Sequence, residues 1–349
     1  MNINTNLLAL LALAVLLSLS SPSLQGDEIP ESGLIQLRFD RKNDIVGFDF
    51  FGPADWLASQ WNAKKIHVFA SAKEVFLRQH AISVGEVKFV ASLKTVERLQ
   101  IGVFPESVQV TTAMVNEISR MQNLHSLSFN VEQSSRTRWN QLRNLPELDS
   151  LEILGDVEFQ EPDLNAIGSM HSLQCLHLAG AISDMENDWL SNLDELVVVK
   201  LNSDSLSLTT VDAITKLKAL ETVSVSGAKF SDAHIVRLCR NSGRSLQSLK
   251  IEVGNASVLG CLIGLAKVVF LELHFDAGDE PIDISVLEAL PNLDVLRIRG
   301  NFDEASAHAS GDHLKLSILD IRRDRGDLEE SKGVLSKNSD ERLESAITE

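Results

Sequence analysis

A short apolar pattern recurs along most of this sequence, and it limits the folds open to the chain more than any other feature. In SLQCLHLAGAISD (172–184), leucines stand at 173, 176 and 178, and a glycine follows at 180. The same spacing, with its glycine, occurs within 147–157, 219–232 and 292–304. Copies without glycine at that offset begin at residues 96, 124, 196, 246, 268 and 316. Ten copies therefore occur, and their starts are 22 to 28 residues apart.

The spacing within one copy predicts a β-strand followed by a helix. The last two apolar residues alternate with single other residues, which places both on one side of a strand. The glycine permits a sharp turn, and helical spacing follows at 114–121, 164–170, 211–217 and 286–290. Such a unit is too small to bury its apolar side alone, so successive units must stack as a solenoid.

The pattern L-x-x-L-x-L with its turn resembles the leucine-rich repeat, of an exported bacterial type, over at least residues 93–322. Degenerate units at 34–39 and 63–68 would extend the array from 10 to about 12 repeats. The rival doubly wound α/β sheet requires a phosphate-binding glycine cluster, but neither G-x-G-x-x-G nor G-x-x-x-x-G-K-S/T is present. We therefore expect an α/β fold, a curved leucine-rich-repeat solenoid with parallel strands on its concave face and helices on its convex face.

The two ends of the array differ from its middle. Residues 27–92 are expected to form an N-terminal capping region with degenerate repeats, because 39–76 contain eight of the 18 Phe and Trp residues. An exposed aromatic binding patch is the alternative function for these rings. Residues 323–349 are polar and charged, and this composition predicts a disordered tail.

The first 26 residues contain no Lys, Arg, Asp or Glu, and residues 7–19 form an apolar run broken only by Ser18. Thirteen residues are too few to span a bilayer comfortably, but they suit the core of a secretory signal. We predict a signal peptide over 1–26 and a secreted, periplasmic or cell-envelope protein, with an uncleaved anchor as the alternative. No membrane span is expected in the mature chain.

Charge and cysteine content limit the possible ligands. The net charge of −17 argues against nucleic acid, which requires clustered Lys and Arg. Cys175, Cys239 and Cys261 show no metal-binding spacing, and the sequence leaves open whether two of them form a disulfide. The acidic loops 156–163, 184–188 and 276–283 lack the spacing of a calcium loop, so no metal or cofactor is indicated.

One residue of each strand, between the last two apolar positions, should face solvent on the concave side. These residues should form a row with about 4.8 Å between neighbours. In chain order the row contains Gln100, Ser128, Glu152, His177, Lys200, Ser224, Lys250, Glu272, Arg297 and Asp320. The candidate binding residues are its central charged members, Glu152, His177, Lys200, Lys250, Glu272 and Arg297.

A catalytic role for this row is the weaker hypothesis. His177 could act as a general base oriented by Glu152, with Cys175 or Ser150 as the nucleophile. No oxyanion arrangement is visible in the sequence, and an open sheet face provides no pocket that excludes water. We therefore expect no enzyme activity.

The family resemblance implies a recognition module, because leucine-rich repeat proteins usually bind other proteins, and sometimes glycans or lipids, on the concave sheet. About ten strands would give a face about 50 Å long, which suits a macromolecule. We therefore expect protein binding, with a glycan as a second class of partner. A structural envelope component without a dedicated ligand is the alternative.

Overall fold

The structure is a computed structural model of the 349-residue chain. It describes residues 35–40, 45–52, 69–78, 81–102, 107–132, 137–182, 188–204, 206–254, 257–275, 285–300 and 316–322. The predicted signal peptide, the predicted unit at 63–68 and the predicted tail at 323–349 lie outside these residues.

Thirteen strands form one long sheet, and a separate pair of short strands lies beside it. In chain order the strands are β1 (Ile35–Phe39), β2 (Ile45–Phe50), β3 (Glu74–Leu77), β4 (Arg98–Ile101), β5 (Ser126–Val131), β6 (Ser150–Gly155), β7 (Glu158–Phe159), β8 (Cys175–Ala179), β9 (Ala181–Ile182), β10 (Val198–Asn202), β11 (Thr222–Phe230), β12 (Ser248–Val253), β13 (Phe270–Phe275), β14 (Val295–Arg299) and β15 (Ile318–Arg322). The long sheet follows chain order but omits β7 and β9, which pair with each other.

Every neighbouring pair in the long sheet from β2 onward is parallel, as a solenoid requires. All ten predicted repeats contain one of these strands, from β4 to β15. Equivalent leucines stand side by side, with Leu176 opposite Leu151 on one neighbour and Val199 on the other. The predicted α/β solenoid of parallel strands is confirmed.

The apolar residues of successive strands form one continuous core. It runs from Phe48 in β2 to Ile298 in β14, and Leu176 and Leu178 in the middle are fully buried. Because these residues lie at alternate positions, the intervening side chains point to the opposite face of the sheet. The stacked units thus share one apolar interior while the other side of the sheet stays open.

The helices lie in the second halves of some units only. They are α1 (Val84–Ser92), α2 (Thr112–Ile118), α3 (Glu161–Gly168), α4 (Leu208–Lys216), α5 (Asp232–Ser242) and α6 (Val258–Leu262). A Ser or Thr hydroxyl caps four of them by accepting a hydrogen bond from the first turn, at Ser83, Thr111, Ser207 and Ser231. The helix expected at 286–290 is instead a short 3₁₀ turn over Ser285–Ala289, in which Leu287 is buried.

Backbone hydrogen bonds join each unit to the next at the start of the strand. The carbonyl of His125 accepts bonds from the amides of both Asp149 and Ser150, and the carbonyl of Asp149 accepts from Gln174 and Cys175. The same double acceptance recurs along the sheet, at the carbonyls of Lys73, Glu97, His125, Asp149, Gln174, Val197, Glu221, Gln247, Val269 and Asp294. These shared carbonyls fix the register of successive strands.

The N-terminal end departs from the expected repeats. Leu37 and Phe39 lie in β1, which pairs antiparallel with β2, so the unit predicted at 34–39 is not a parallel repeat. The strands β2 and β3 continue the parallel sheet but were not predicted. They have the apolar spacing of the repeat, at Ile45, Phe48 and Phe50 and at Ala72, Val75 and Leu77, but only one of these six residues is the leucine that marks most copies. Phe48 is fully buried, as a cap requires, whereas Phe39 and Phe51 are 43% and 39% exposed.

Replacing Gly155 by alanine should destabilise the protein by about 2 to 3 kcal/mol. Gly155 has φ +121°, and an added Cβ would lie 2.0 Å from the carbonyl oxygen of Val131 on the neighbouring unit. Gly260 in α6 is the matched control, because nothing lies within 4 Å of its added Cβ. Gly260→Ala should be neutral or stabilising by up to about 1 kcal/mol. Urea unfolding measures both, and equal effects would contradict the proposed steric role of Gly155.

Candidate binding face

The open face is the side of the long sheet whose side chains point away from the apolar core. Strand register places the predicted row on it without a break, since His177 stands opposite Glu152 and Lys200, and Lys250 stands between Ser224 and Glu272. The row also extends toward the N-terminus through Phe76, which stands opposite Gln100. The structure therefore brings the predicted residues onto adjacent strands.

Hydrogen bonds link three side chains in the middle of the row. The Ser128 hydroxyl donates to Glu152 Oε2 over 2.7 Å, and His177 Nδ1 lies 2.7 Å from Glu152 Oε1. The hydrogen bond with His177 lowers the pKa of the Glu152 carboxyl, whereas burial raises it. The hydrogen bond from Ser128 lowers it further, so that the pKa of Glu152 lies below its ordinary value. Lys200 is exposed on the next strand. This geometry holds Glu152 as an anion beside an exposed cation.

The thiol that would serve as a nucleophile in the catalytic hypothesis is not activated. Cys175 stands opposite Ser150 at the edge of the row. Burial raises the pKa of the Cys175 thiol, and the hydrogen bond with Ser150 lowers it less than burial raises it. A raised pKa keeps the sulfur protonated at neutral pH. Cys175 is therefore a protonated thiol beside the hydrogen-bonded pair of Glu152 and His177.

Glu272 differs from the expectation that every member of the row faces solvent, because its exposed fraction is only 3%. Lys250 Nζ lies 3.0 Å from Glu272 Oε1, and His274 Nε2 lies 2.9 Å from the same oxygen. Arg297 Nη1 lies 3.7 Å from Glu272 Oε2. These longer side chains, on the same strand and both neighbours, cover the carboxylate. We call Lys250, Glu272, His274 and Arg297 the Glu272 cluster.

The Glu272 cluster keeps its central carboxyl ionised. Burial raises the pKa of Glu272, but hydrogen bonds from Lys250 and His274 lower it more, and the net pKa is below the ordinary value. The Lys250 and Arg297 side chains remain 39% and 45% exposed, whereas that of Glu272 is 4% exposed. Solvent therefore meets the cations of this cluster, and the anion lies beneath them.

A second charged cluster, at the N-terminal end of the open face, was missed by sequence reasoning. Arg38 Nη1 and Arg98 Nη1 lie 2.6 and 2.7 Å from the two oxygens of Glu74. The Arg38 guanidinium also lies 4.0 Å from the centre of the Phe76 ring. These residues belong to β1, β3 and β4, and the first two strands have only degenerate copies of the repeat pattern. Alternation within β3 was the available signal, because it separates Glu74 and Phe76 from the buried Val75.

The three cysteines are free thiols. Among the described residues, none of them belongs to a group of three or more His, Cys, Asp or Glu side chains that could hold a metal ion. Cys239 Sγ donates a hydrogen bond to the Cys261 carbonyl over 3.2 Å, which joins α5 to α6. Burial, and then the nearby Cys261, raise the pKa of Cys239 to about 12. Both thiols lie on the helix side, away from the open face. No helix among the described residues is long and apolar enough to cross a membrane.

A cavity of about 560 Å³ also lies on the helix side rather than on the open face. It is open and polar, and its walls are formed by α2, the turn that follows it and the next unit. The residues that line it are Asn116, Ser119, Arg120, Gln122, Gln141 and Asn144. None of the predicted site residues contributes to it. The candidate binding residues lie instead along adjacent strands of the open face.

Replacing Glu272 by glutamine should lower the free energy of unfolding by about 1 to 2 kcal/mol at pH 7, since it removes a buried hydrogen-bonded anion. Because the pKa of Glu272 is lowered in the folded state, its stabilisation is fully present above the ordinary value of 4.5 and is lost as the pH falls through the lowered pKa. The difference between the two proteins should therefore shrink on acidification below pH 4.5.

Urea unfolding from pH 7 to pH 3 measures this difference. Glu97→Gln is the control, because Glu97 forms an exposed ion pair with Lys73 over 2.7 Å; its effect should stay below about 0.5 kcal/mol. A Glu272→Gln effect that does not depend on pH would contradict the ionised, stabilising carboxylate.

Comparisons with known proteins give relatives in structure only. No family model matches the sequence, and no curated protein is similar to it. An internalin (inlF) from Listeria monocytogenes superposes with a TM-score of 0.52 at 16% identity, over 80% of this chain and 83% of the internalin. A leucine-rich repeat protein from Leptospira interrogans gives 0.42 at 16% identity, over 68% of this chain and 69% of that one.

The Arabidopsis receptor kinase HAESA, solved with the peptide hormone IDA and the co-receptor SERK1, gives a TM-score of 0.47 at 15% identity, over 90% of this chain and 64% of HAESA. The internalin match covers most of both chains. The superposition agrees with the thirteen-stranded sheet and the ten stacked units of this chain. The chain is therefore a leucine-rich repeat protein in its fold.

Proposed function

We propose that this protein recognises a protein partner on the open face of its sheet, which is the concave face of a curved solenoid, and that it does so without catalysis. The observation that carries the proposal is the unbroken polar row across adjacent strands. Thirteen strands at about 4.8 Å give a face about 60 Å long, which is the scale of a protein interface rather than of a metabolite site.

The composition of the open face supports this function. Around the charged residues the outward side chains are small, as at Ser126, Ser150, Ser224 and Ser248. A floor of short side chains lets a partner approach the sheet closely, while Lys200 and the Glu152–His177 pair supply polar contacts. Five of the six predicted contacts remain at least partly exposed, and Glu272 supports two of them from beneath.

Export is part of the proposal, because the apolar, uncharged segment 1–26 has the composition of a secretory signal. The partner would then be a protein of the envelope or the surroundings of the cell. A glycan is the second class of partner, since hydroxyl, carboxylate and imidazole groups of this row can also hydrogen-bond sugars.

Capture from the native exported fraction tests the proposal. We expect immobilised full-length protein to retain a partner saturably. The double variant Lys200→Glu with Ser224→Arg should lower the affinity for this partner about tenfold or more, because it places a reversed charge and a bulky side chain on the open face. The matched control is Lys216→Glu with Gln122→Arg, which makes the same changes of charge and also introduces an arginine at exposed positions of the helix side.

Equal loss in the control, or capture unaffected by the open-face variant, would contradict recognition on this face. Failure to capture any saturable partner would favour the alternative, a structural component of the envelope without a dedicated ligand. Treating the exported fraction with a glycosidase or a protease before capture separates a glycan from a protein partner.

A further inference from the structure

The open face carries more cations than carboxylates toward its C-terminal end. Parallel register and alternation identify the outward charged residues of β10 to β15. The cations are Lys200, Lys229, Lys250, Arg297 and Arg299, and the carboxylates are Glu252, Glu272 and Asp320. This part of the surface is therefore basic on a chain whose net charge is −17. A local reversal of charge of this kind favours an oppositely charged partner.

Glu252 and Glu272 are both held within the protein, and Asp320 on the last strand, opposite Arg297, lowers the positive charge only there. Glu252 Oε1 accepts a hydrogen bond from the Gly227 amide over 2.9 Å, which ties it to the turn inside β11. Glu272 is buried beneath Lys250, His274 and Arg297. The two acidic groups thus bind within the protein, while Lys250 and Arg297 keep a large part of their side chains in solvent.

The buried carboxylate also holds the cations in place before any partner binds. Lys250 and Arg297 lie on strands on either side of Glu272, and they approach its two different oxygens, Oε1 and Oε2. The Arg297 guanidinium is further supported by the Phe270 ring, whose centre lies 5.5 Å away. Long side chains normally lose rotamer freedom on binding, so this arrangement reduces that cost.

We propose that the Glu272 cluster is the binding site for a carboxylate-rich segment of the partner protein, with Lys250 and Arg297 as the contacting groups and Glu272 as a positioning residue. The inference rests on the proposed function and names the chemistry of the partner at one end of the open face. An Asp or Glu side chain placed above the cluster would meet two exposed donors while the anion below stays covered. Charge-assisted hydrogen bonds of this kind are among the stronger polar contacts.

A nucleic acid fits the same cluster less well. Its many phosphates would meet the net charge of −17 on the remainder of the chain, and binding would require a longer basic surface than one cluster. A short acidic segment places only a few charges near the cations. The proposal therefore commits to protein carboxylates, and a polyanion serves as a comparison in the test.

Fluorescence anisotropy with the full-length protein and a labelled heptaglutamate peptide tests the site, at about 20 mM ionic strength so that screening is weak. We expect saturable binding that becomes about fivefold weaker in Lys250→Gln with Arg297→Gln. Lys216→Gln with Arg120→Gln is the matched control, because it removes the same two cation types from exposed ion pairs of the helix side. That control should stay within about twofold of the original protein.

The positioning role of Glu272 is tested by the affinity of a Glu272→Gln variant for the peptide. Loss of positioning and the change in net charge should shift this affinity in opposite directions. Glu272→Gln makes the protein less acidic, so simple charge attraction predicts tighter peptide binding. Loss of preorganisation predicts weaker binding, by about threefold. Glu97→Gln changes the net charge equally at an exposed pair and should leave binding unchanged or slightly tighter. Circular dichroism at the assay temperature verifies that each variant is folded.

Three results would overturn the inference: equal weakening in both double variants, tighter binding by Glu272→Gln, or binding of heptaglutamine or of a short single-stranded DNA as tight as that of heptaglutamate. If any of these occurs while Lys200→Glu with Ser224→Arg still abolishes partner capture, the inference fails and the proposed function stands. If that variant leaves capture unchanged, the proposed function fails as well.

Discussion

The structure depends on the burial of each unit's apolar residues by the next unit. A single strand and its short helix expose the leucines on one side, and only a neighbour in the same register removes them from water. Leu151, Leu176 and Val199 show this arrangement, since all three are fully buried and stand side by side. The shared carbonyls at the strand starts fix the register that this packing needs. Everything proposed for the open face follows from that register, because it decides which side chains become neighbours.

Polar chemistry is distributed over the open face according to the same rule. Residues that follow one another at 22 to 28 positions in the sequence become hydrogen-bonding partners, as Glu152 and His177 do. Charged clusters lie near the two ends, around Glu74 and around Glu272, and the Glu152–His177 pair and Lys200 lie between them among small hydroxyl side chains. In each cluster a carboxylate is held by at least two cations. Such arrangements order long side chains that would otherwise be mobile in water.

Much of this architecture could be predicted from the sequence, because its signal is repeated. One L-x-x-L-x-L segment is ambiguous, but ten copies at a regular interval predict parallel strands and their outward row. The helical halves were harder to predict, since 286–290 has helical spacing but forms only a 3₁₀ turn. The strands β2 and β3 were missed although they have the repeat spacing, because Ile45, Phe48 and Phe50 and then Ala72 and Val75 replace the leucines by which the copies were recognised.

The position of the candidate site on the sheet could be predicted from the sequence, but the burial of its residues could not. Alternation placed Glu272 on the open face correctly, yet no sequence rule showed that Lys250, His274 and Arg297 would cover it. Whether a side chain on a sheet surface is buried depends on the conformations of the side chains on neighbouring strands, and these are set by the tertiary structure. The contact between Arg38 and Phe76 could not be predicted for the same reason. It joins β1 to β3, and Arg38 and Glu74 on these two strands are 36 residues apart in the sequence.

The central claim is that neighbouring units stabilise one another through a shared core, and hydrogen exchange of a Leu176→Ala variant tests it most directly. Leu176 is fully buried in β8 between β6 and β10, and its truncation should cost about 3 kcal/mol. The account predicts that amide protection falls most in β8, falls clearly in β6 and β10, and declines with distance along the sheet. Loss of protection confined to β8, with β6 and β10 unchanged, would contradict it.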